Sequence, residues 1–335
     1  MKSLFILKEL KMNLLRLLKR STRKSLDYFL LPVVYVSALI FRYIRNSDAT
    51  FSVFKKCKKV LLKVGIYPLV DQYYEPLFHP RHFHKSTRQD RFLPGLNLND
   101  DKQLEFINSL KYTEELDSLP AEKGNENEFY YNNDIFGGAD AQIYYQILRT
   151  YKPKNIIEIG SGLSTMLAFE ALKNNKKEDS NYSCNFTCIE PYEIPWLESR
   201  QEIKLMRERV ELIDKDIFKS LSINDILFID SSHVIRPQGD VLSIYLEILP
   251  LIKQGVLVHI HDICTPKDYY DIELDNFHFF NEQYLLEAFL SFNSDFEILS
   301  ASNYLSYHYF DELKKKCPIL SYERGLGSFW IRRKQ

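Results

Sequence analysis

The sequence has little cysteine and lacks internal repeats. Its five cysteines form no Cys-x-x-Cys pair and are odd in number among 335 residues. This pattern argues against a disulfide framework and against a structural zinc site. We therefore expect reduced thiols in a cytoplasmic protein.

Long apolar runs are also lacking. The longest uncharged stretch near the N-terminus covers residues 28–41, only 14 residues, and it contains Pro32. A helix that crosses a bilayer needs about 20 apolar residues. The sequence leaves open whether residues 26–44 span a membrane, lie on its surface or pack against protein.

Charge is unevenly distributed, although the net charge is only −1. Residues 1–65 carry 15 Lys or Arg against three acids, which is a net +12, so the remainder carries −13. Apolar residues recur at helical spacing in the first segment, namely Leu4, Leu7, Leu10, Leu14 and Leu18. This pattern is typical of a helix in a membrane interface. It predicts membrane-surface contact through residues 1–45, with the protein peripheral at the inner face of a membrane.

Three segments differ in composition. Residues 1–65 form the basic helical segment, residues 66–128 read as a loop-rich connector or lid, and residues 129–335 alternate strand and helix patterns. Such alternation predicts an α/β fold with a doubly wound sheet of seven strands. The predicted strands cover residues 155–159, 186–189, 210–213, 225–229, 255–261, 296–300 and 328–332. Helices are predicted over 140–150, 165–173 and 282–292.

The first predicted strand leads into the turn Gly160-Ser161-Gly162. Small residues between a buried strand and a helix let backbone amides approach a ligand, which is how α/β proteins bind nucleotides. Thr165 stands where a dinucleotide fingerprint has its third glycine, and no Gly-Lys-Ser/Thr phosphate loop occurs.

The string Glu158-Ile-Gly-Ser-Gly-Leu-Ser164 resembles motif I of the class I S-adenosylmethionine (SAM)-dependent methyltransferases, which have a Rossmann-like sheet. The resemblance covers residues 129–334, without the N-terminal helical extension. It implies that the turn touches the methionine end of SAM, that Glu190 holds the ribose and that Asp216 lies near the adenine. The cofactor-binding residues it implies are Glu158, Gly160, Ser161, Gly162, Ser164, Glu190 and Asp216. Gly138, in a turn-rich loop before the first predicted helix, is a further candidate, with a plain helix cap as the alternative.

Polar residues also end the fourth and fifth strands, at Asp230 and at His261-Asp262. Neighbouring parallel strands bring such residues to one sheet edge, where carboxylates suit Mg²⁺ and a histidine favours Mn²⁺. The pattern Asp-Ser-Ser-His with a later His-Asp looks like the macrocin O-methyltransferase and cephalosporin-hydroxylase-like group, in which these acids hold an ion. His261 replaces an acid there, which leaves the metal in doubt. We take Asp230, His261 and Asp262 as candidate metal ligands and His233, Asp230 and Asp262 as catalytic residues. An unperturbed imidazole would make His233 the general base.

The expected activity is O-methylation of a hydroxyl on a small molecule or glycan. Asp230-Ser-Ser-His233 is not the Asp/Asn-Pro-Pro-aromatic motif of DNA amino methylation, and the −13 charge of the main domain would repel nucleic acid. Two alternatives stay open, an inactive scaffold at a membrane and a related hydroxylase-like enzyme. The sequence leaves a homo-oligomer open as well.

Overall fold

A computed structural model describes residues 2–47, 53–76, 79–124, 127–133, 135–321 and 325–334, without the side chains of residues 2–22 and 24. The predicted apolar stripe from Leu4 to Leu18 therefore lies outside the described side chains. The chain divides into two compact units, residues 1–84 and 85–335. This division does not test the segment boundaries predicted near residues 65 and 128.

The first unit is helical. It contains α1 (Lys2–Asn46) and α2 (Lys55–Val64), followed by a 3-10 turn at Pro80–His82. Arg45 near the end of α1 forms an ion pair with Glu75. The backbone N–H of His79 and the imidazole of His82 both interact with the Asp71 carboxylate, which gives this loop a structural role.

The second unit is an α/β sandwich. Its strands are β1 (Asn155–Ile159), β2 (Asn185–Ile189), β3 (Ile203–Met206), β4 (Ile226–Ile229), β5 (Leu257–Ile260), β6 (Phe296–Ala301) and β7 (Phe329–Arg333). Its helices are α3 (Asp100–Ser109), α4 (Gly138–Tyr151), α5 (Leu163–Glu178), α6 (Pro195–Glu198), α7 (Asp240–Ser243), α8 (Asp271–Asp275), α9 (Glu282–Leu290), α10 (Ser302–His308) and α11 (Phe310–Lys316).

The strands form one seven-stranded sheet in the order β3-β2-β1-β4-β5-β7-β6. The first five strands are parallel, and β7 runs antiparallel between β5 and β6. The chain order reverses between β1 and β4, the crevice where ligands bind in such sheets. This arrangement confirms the predicted fold class.

Alternate residues of each strand enter two separate cores. Ile156, Phe228 and Trp330 belong to one buried cluster, whereas Ile157, Ile229 and Ile331 belong to the other. Burial on both faces explains why the central strands read as continuous apolar runs in the sequence.

The predicted third strand is wrong. Residues 210–213 contain a 3-10 turn at Val210–Leu212, and the strand next to β2 is Ile203–Met206. Val210 and Ile213 are both buried, and their spacing of three suits a 3-10 turn, in which residues i and i+3 share a side. The crossover helix α5 also extends beyond the predicted end at residue 173, as far as Glu178.

Candidate active site

The turn after β1 is built around two glycines with different surroundings. Gly160 has φ +82°, and a Cβ there would lie 2.3 Å from the carbonyl oxygen of Asp230. The next strand end therefore leaves no room for a side chain. Gly162 has extended backbone and nothing within 4 Å of a Cβ position. The space in front of Gly162 is open to a ligand.

Glu158 lies beneath this turn. It is fully buried, and its carboxylate accepts hydrogen bonds from Ser164 Oγ at 2.6 Å and Thr165 Oγ1 at 2.7 Å. Thr165 Oγ1 also accepts from the backbone N–H of Gly162 at 3.0 Å. Burial raises the pKa of the Glu158 carboxyl to about 8. Glu158 and Ser164 thus stabilise the turn from below. The hydroxyl of Thr165 links Glu158 to the backbone of Gly162, a contact that a glycine at this position could not make.

Glu190 follows β2 and stands beside the same turn. Its Oε2 accepts from the backbone N–H of Ser161 at 3.2 Å, and its Oε1 accepts from that of Tyr192 at 2.9 Å. The structure therefore brings together Gly160, Ser161 and Glu190, three of the residues predicted to bind the cofactor.

Asp216 and Gly138 lie on other elements. Asp216 is in an exposed 3-10 turn at Lys215–Ser220, where it pairs with Lys219 at 2.6 Å. It does not follow a strand, because β3 ends at Met206. The N-cap of this turn is Asp214, which accepts from the backbone N–H of Asp216. Gly138 begins α4 with φ +59°, a conformation that favours glycine.

The ends of β4 and β5 bring His233 between two carboxylates. His233 Nε2 lies 3.2 Å from Asp230 Oδ1 and 3.5 Å from Asp262 Oδ2. The imidazole is buried, whereas the Asp230 and Asp262 side chains are 34% and 45% exposed. Both His233 and Asp262 have positive φ, at 58° and 54°. Such strain in non-glycine residues is concentrated at functional sites.

A third carboxylate, Glu282, completes this group, and sequence reasoning missed it. Its Oε2 lies 2.9 Å from His233 Nδ1 and accepts from Ser231 Oγ at 3.0 Å, and the side chain is fully buried. The backbone N–H groups of Asn281 and Glu282 both donate to the carbonyl oxygen of His233. The start of α9 therefore holds His233 by backbone and side chain. The available signal was an acid at the first position of the predicted helix over 282–292.

The electrostatics differ from those of an ordinary histidine. Burial lowers the pKa of His233, but the hydrogen bonds to Asp230 and Glu282 and the nearby charges outweigh it, and the pKa is raised well above 6.5. Burial likewise opposes ionisation of Asp230, yet the hydrogen bond from His233 and the charge of His261 lower its pKa overall. The raised pKa favours the imidazolium form of His233, in contrast to the unperturbed imidazole expected from the sequence.

This arrangement does not fit the predicted divalent ion. Among the residues that the structure describes, no three His, Cys, Asp or Glu side chains have the geometry to hold a metal. His261 Nε2 is 3.6 Å from Asp262 Oδ1, and His233 Nε2 faces both Asp230 and Asp262. The metal-ligand roles of Asp230, His261 and Asp262 are therefore not supported.

A cavity of about 590 Å³ opens beside Asp262. Its wall includes Asp140, His261, Asp262, Tyr269, Tyr270 and Phe280. Pockets of this volume accept small organic ligands, and aromatic walls with a few polar groups are typical of such sites. The neighbouring His259 takes no part, because it is fully buried and lies 2.9 Å from Ser328 Oγ.

The chain is similar to known proteins over part of its length. Residues 157–263 match the family Methyltransf_24, described as a methyltransferase domain. An uncharacterised protein of Archaeoglobus fulgidus is 27% identical over 192 residues, which are 51% of this chain and 84% of that protein.

Two solved structures align with part of this chain. The plantazolicin methyltransferase BpumL, solved with a triazolic desmethylPZN analog and SAH, has 13% identity and a TM-score of 0.36 over 58% of this chain and 85% of its own. The 1,6-didemethyltoxoflavin-N1-methyltransferase of Burkholderia thailandensis has 12% identity and a TM-score of 0.32 over 60% and 82%.

The matched segment contains the turn after β1, Glu190, and the group formed by Asp230, His233, His261 and Asp262. Over these residues the chain matches a methyltransferase domain, in agreement with the predicted enzyme class, a methyltransferase.

Proposed function

We propose that the protein transfers a methyl group from SAM to a hydroxyl group of a small molecule or glycan. The observation that supports this proposal is the grouping of three features around the turn after β1. They are the open space at Gly162, the carboxylate of Glu190, and the group formed by Asp230, His233 and Asp262. The first two suit the donor, and the third suits removal of a proton from the acceptor.

The donor would occupy the crevice at the ends of β1 and β2. Backbone amides of Gly160, Ser161 and Gly162 would face its methionine end, while Glu190 would exchange its bond to Ser161 for the ribose hydroxyls. A buried carboxylate that already accepts backbone hydrogen bonds has the right polarity for this exchange. The predicted contacts of Gly138 and Asp216 with the cofactor are also part of this proposal.

The chemistry needs alignment and a proton acceptor. As the bond from carbon to the acceptor oxygen forms, the bond from carbon to sulfur breaks, and the hydroxyl proton must leave. Asp262 lines the cavity and is the carboxylate best exposed to receive that proton. His233, already protonated, would fix Asp230 and Asp262 in place, and Glu282 would orient the imidazole.

Calorimetric titration of the full chain with SAM tests the donor half of the proposal. We expect saturable binding, and no heat at millimolar SAM would contradict it.

Mass spectrometry of a panel of glycan and small-molecule hydroxyl acceptors then tests the acceptor half. The expected product gains one methyl group on oxygen, and methylation on nitrogen would contradict the hydroxyl assignment.

The variant Asp262→Asn tests the assigned chemistry. It should keep SAM affinity and lower kcat about 100-fold, because removal of a proton acceptor typically costs this much. Asp275→Asn is the matched control, since Asp275 is an exposed aspartate of α8. An unchanged kcat in Asp262→Asn would refute the role of Asp262.

A further inference from the structure

The C-terminal half of α1 exposes apolar side chains on all its sides. Leu26, Phe29, Val33, Val34, Val36 and Leu39 are between 49% and 74% exposed. Among the described residues, Ser25–Asn46 is the helix that is long and apolar enough to cross a membrane. Its 22 residues correspond to about 33 Å, against a hydrocarbon core of about 30 Å. Such a helix requires an apolar environment.

The two ends of this segment carry cationic and aromatic residues. Arg23 lies two residues before this segment, and Arg42 lies inside it, four residues before its end; both are exposed. Tyr28 and Tyr43, near the two ends, are 76% and 66% exposed. Tyrosine and arginine are the side chains that prefer the boundary between hydrocarbon and lipid headgroups. The order along the helix therefore matches the layers of a bilayer.

The following helix, α2, has a different pattern. Lys55, Lys56, Lys59 and Lys63 lie on one side, and Val60, Leu61 and Val64 lie on the other. It contains no acidic residue. Short basic amphipathic helices bind at the surface of membranes with anionic headgroups.

We propose that residues 23–64 bind an anionic lipid bilayer, with the apolar half of α1 in the hydrocarbon and the lysines of α2 at the headgroups. A bilayer supplies both the apolar layer and the negative surface. The proposal concerns the first unit and stands independently of the methyl acceptor.

Flotation of the purified full chain with lipid vesicles tests this proposal, because flotation separates bound protein from aggregates. We expect the protein to float with phosphatidylcholine vesicles that contain phosphatidylglycerol, and to stay bound in high salt through α1. The double variant Lys56→Glu with Lys59→Glu should bind these vesicles about tenfold or more weakly in low salt. Lys176→Glu with Lys253→Glu is the control, since it makes the same charge change at exposed lysines of the second unit.

A second variant tests the apolar half. Val33→Glu with Val34→Glu should abolish the salt-resistant bound fraction, while circular dichroism stays unchanged because both side chains are exposed. The proposal is overturned if the full chain fails to float, or if it floats equally with neutral vesicles and ignores the α2 charge reversal. It is also overturned if sedimentation shows a lipid-free dimer that the Val33 and Val34 changes dissociate.

Discussion

The two glycines in the turn after β1, Gly160 and Gly162, have different roles: one is required for packing, and the other leaves space for a ligand. Gly160 has positive φ and touches the backbone of Asp230, so its lack of a side chain serves the packing of β1 against β4. Gly162 has ordinary extended backbone beside open space, so no packing reason accounts for it. The two glycines should respond differently to the same substitution.

We expect Gly160→Ala to destabilise the protein by about 2 kcal/mol or more, because the new Cβ is strained and overlaps Asp230. Gly162→Ala should leave stability within about 0.5 kcal/mol and weaken SAM binding about tenfold or more. Thermal unfolding and calorimetric titration measure the two effects. Wild-type affinity in Gly162→Ala would show that the donor lies elsewhere.

Glu158 makes stability depend on pH. Its pKa is about 8 in the folded protein against an ordinary value of about 4.5. As pH rises between these values, the unfolded chain releases a proton that the folded protein retains. The free energy of unfolding should therefore fall by up to about 1.4 kcal/mol for each unit of pH in this window.

The variant Glu158→Gln tests this dependence by denaturant unfolding across the window. It should gain stability relative to the wild type as pH rises, because the amide has no proton to lose. Glu170→Gln is the control, since Glu170 is a half-exposed acid on α5. Parallel pH curves for the wild type and Glu158→Gln would disprove the raised pKa.

At the scale of an element, α4 is held at both ends by buried charges. Asp140 in its first turn accepts hydrogen bonds from the backbone N–H groups of Gly327 and Ser328, just before β7. Arg149 near its other end is 3% exposed and binds Glu115, Glu178 and Asn175. These contacts tie α4 to a 3-10 turn at Thr113–Ser118, to α5 and to the loop before β7, which borders the cavity.

Arg149→Met should lower the free energy of unfolding by about 2 kcal/mol, because it removes the hydrogen-bond partner of the buried Asn175 side chain and two charge-assisted hydrogen bonds to carboxylates. Lys152→Met is the matched control on the same helix. Lys152 pairs with the same Glu178 at the surface, so its loss should cost at most about 1 kcal/mol. Urea unfolding measures both, and equal losses would show that the burial of Arg149 adds nothing.

At the scale of the whole molecule, the chain joins units of opposite charge and different composition. Residues 1–65 are strongly basic, and the rest is acidic. Both buried clusters of the α/β sandwich consist of residues from Phe106 onward. Residues 85–335 therefore contain a complete core of their own.

A shortened chain of residues 85–335 should fold cooperatively and bind SAM as the full chain does. A chain of residues 129–335 is the comparison, and it should be much less stable. It lacks Phe106, Ile107 and Leu110, which are at most 6% exposed, and the hydrogen bond from Ala301 N–H to Gln103. Thermal unfolding separates the cases, and equal stability would favour the predicted boundary at residue 128.

The apolar pattern of the sequence predicted most strands of the sheet, but it misplaced the short edge strand β3. β4 and β5 are apolar runs followed by Asp230 and by His261-Asp262, and β1 leads into Gly160; the type and position of all three strands were predicted correctly. β3 is an edge strand of four half-buried or exposed residues, so its apolar signal was weaker than that of the adjacent buried turn at Val210. The role assigned to Asp216 depended on that misplaced strand.

The sequence by itself determined six of the seven strands, the turn at Gly160 and the acids at the strand ends, because these follow from local periodicity and residue type. Only the tertiary structure decided that Glu282, 49 residues from His233, supplies the buried carboxylate for its imidazole. Protonation depends on burial and neighbouring charge, which are properties of the folded chain. For that reason the sequence suggested a neutral base and a metal, whereas the fold places an imidazolium between two aspartates.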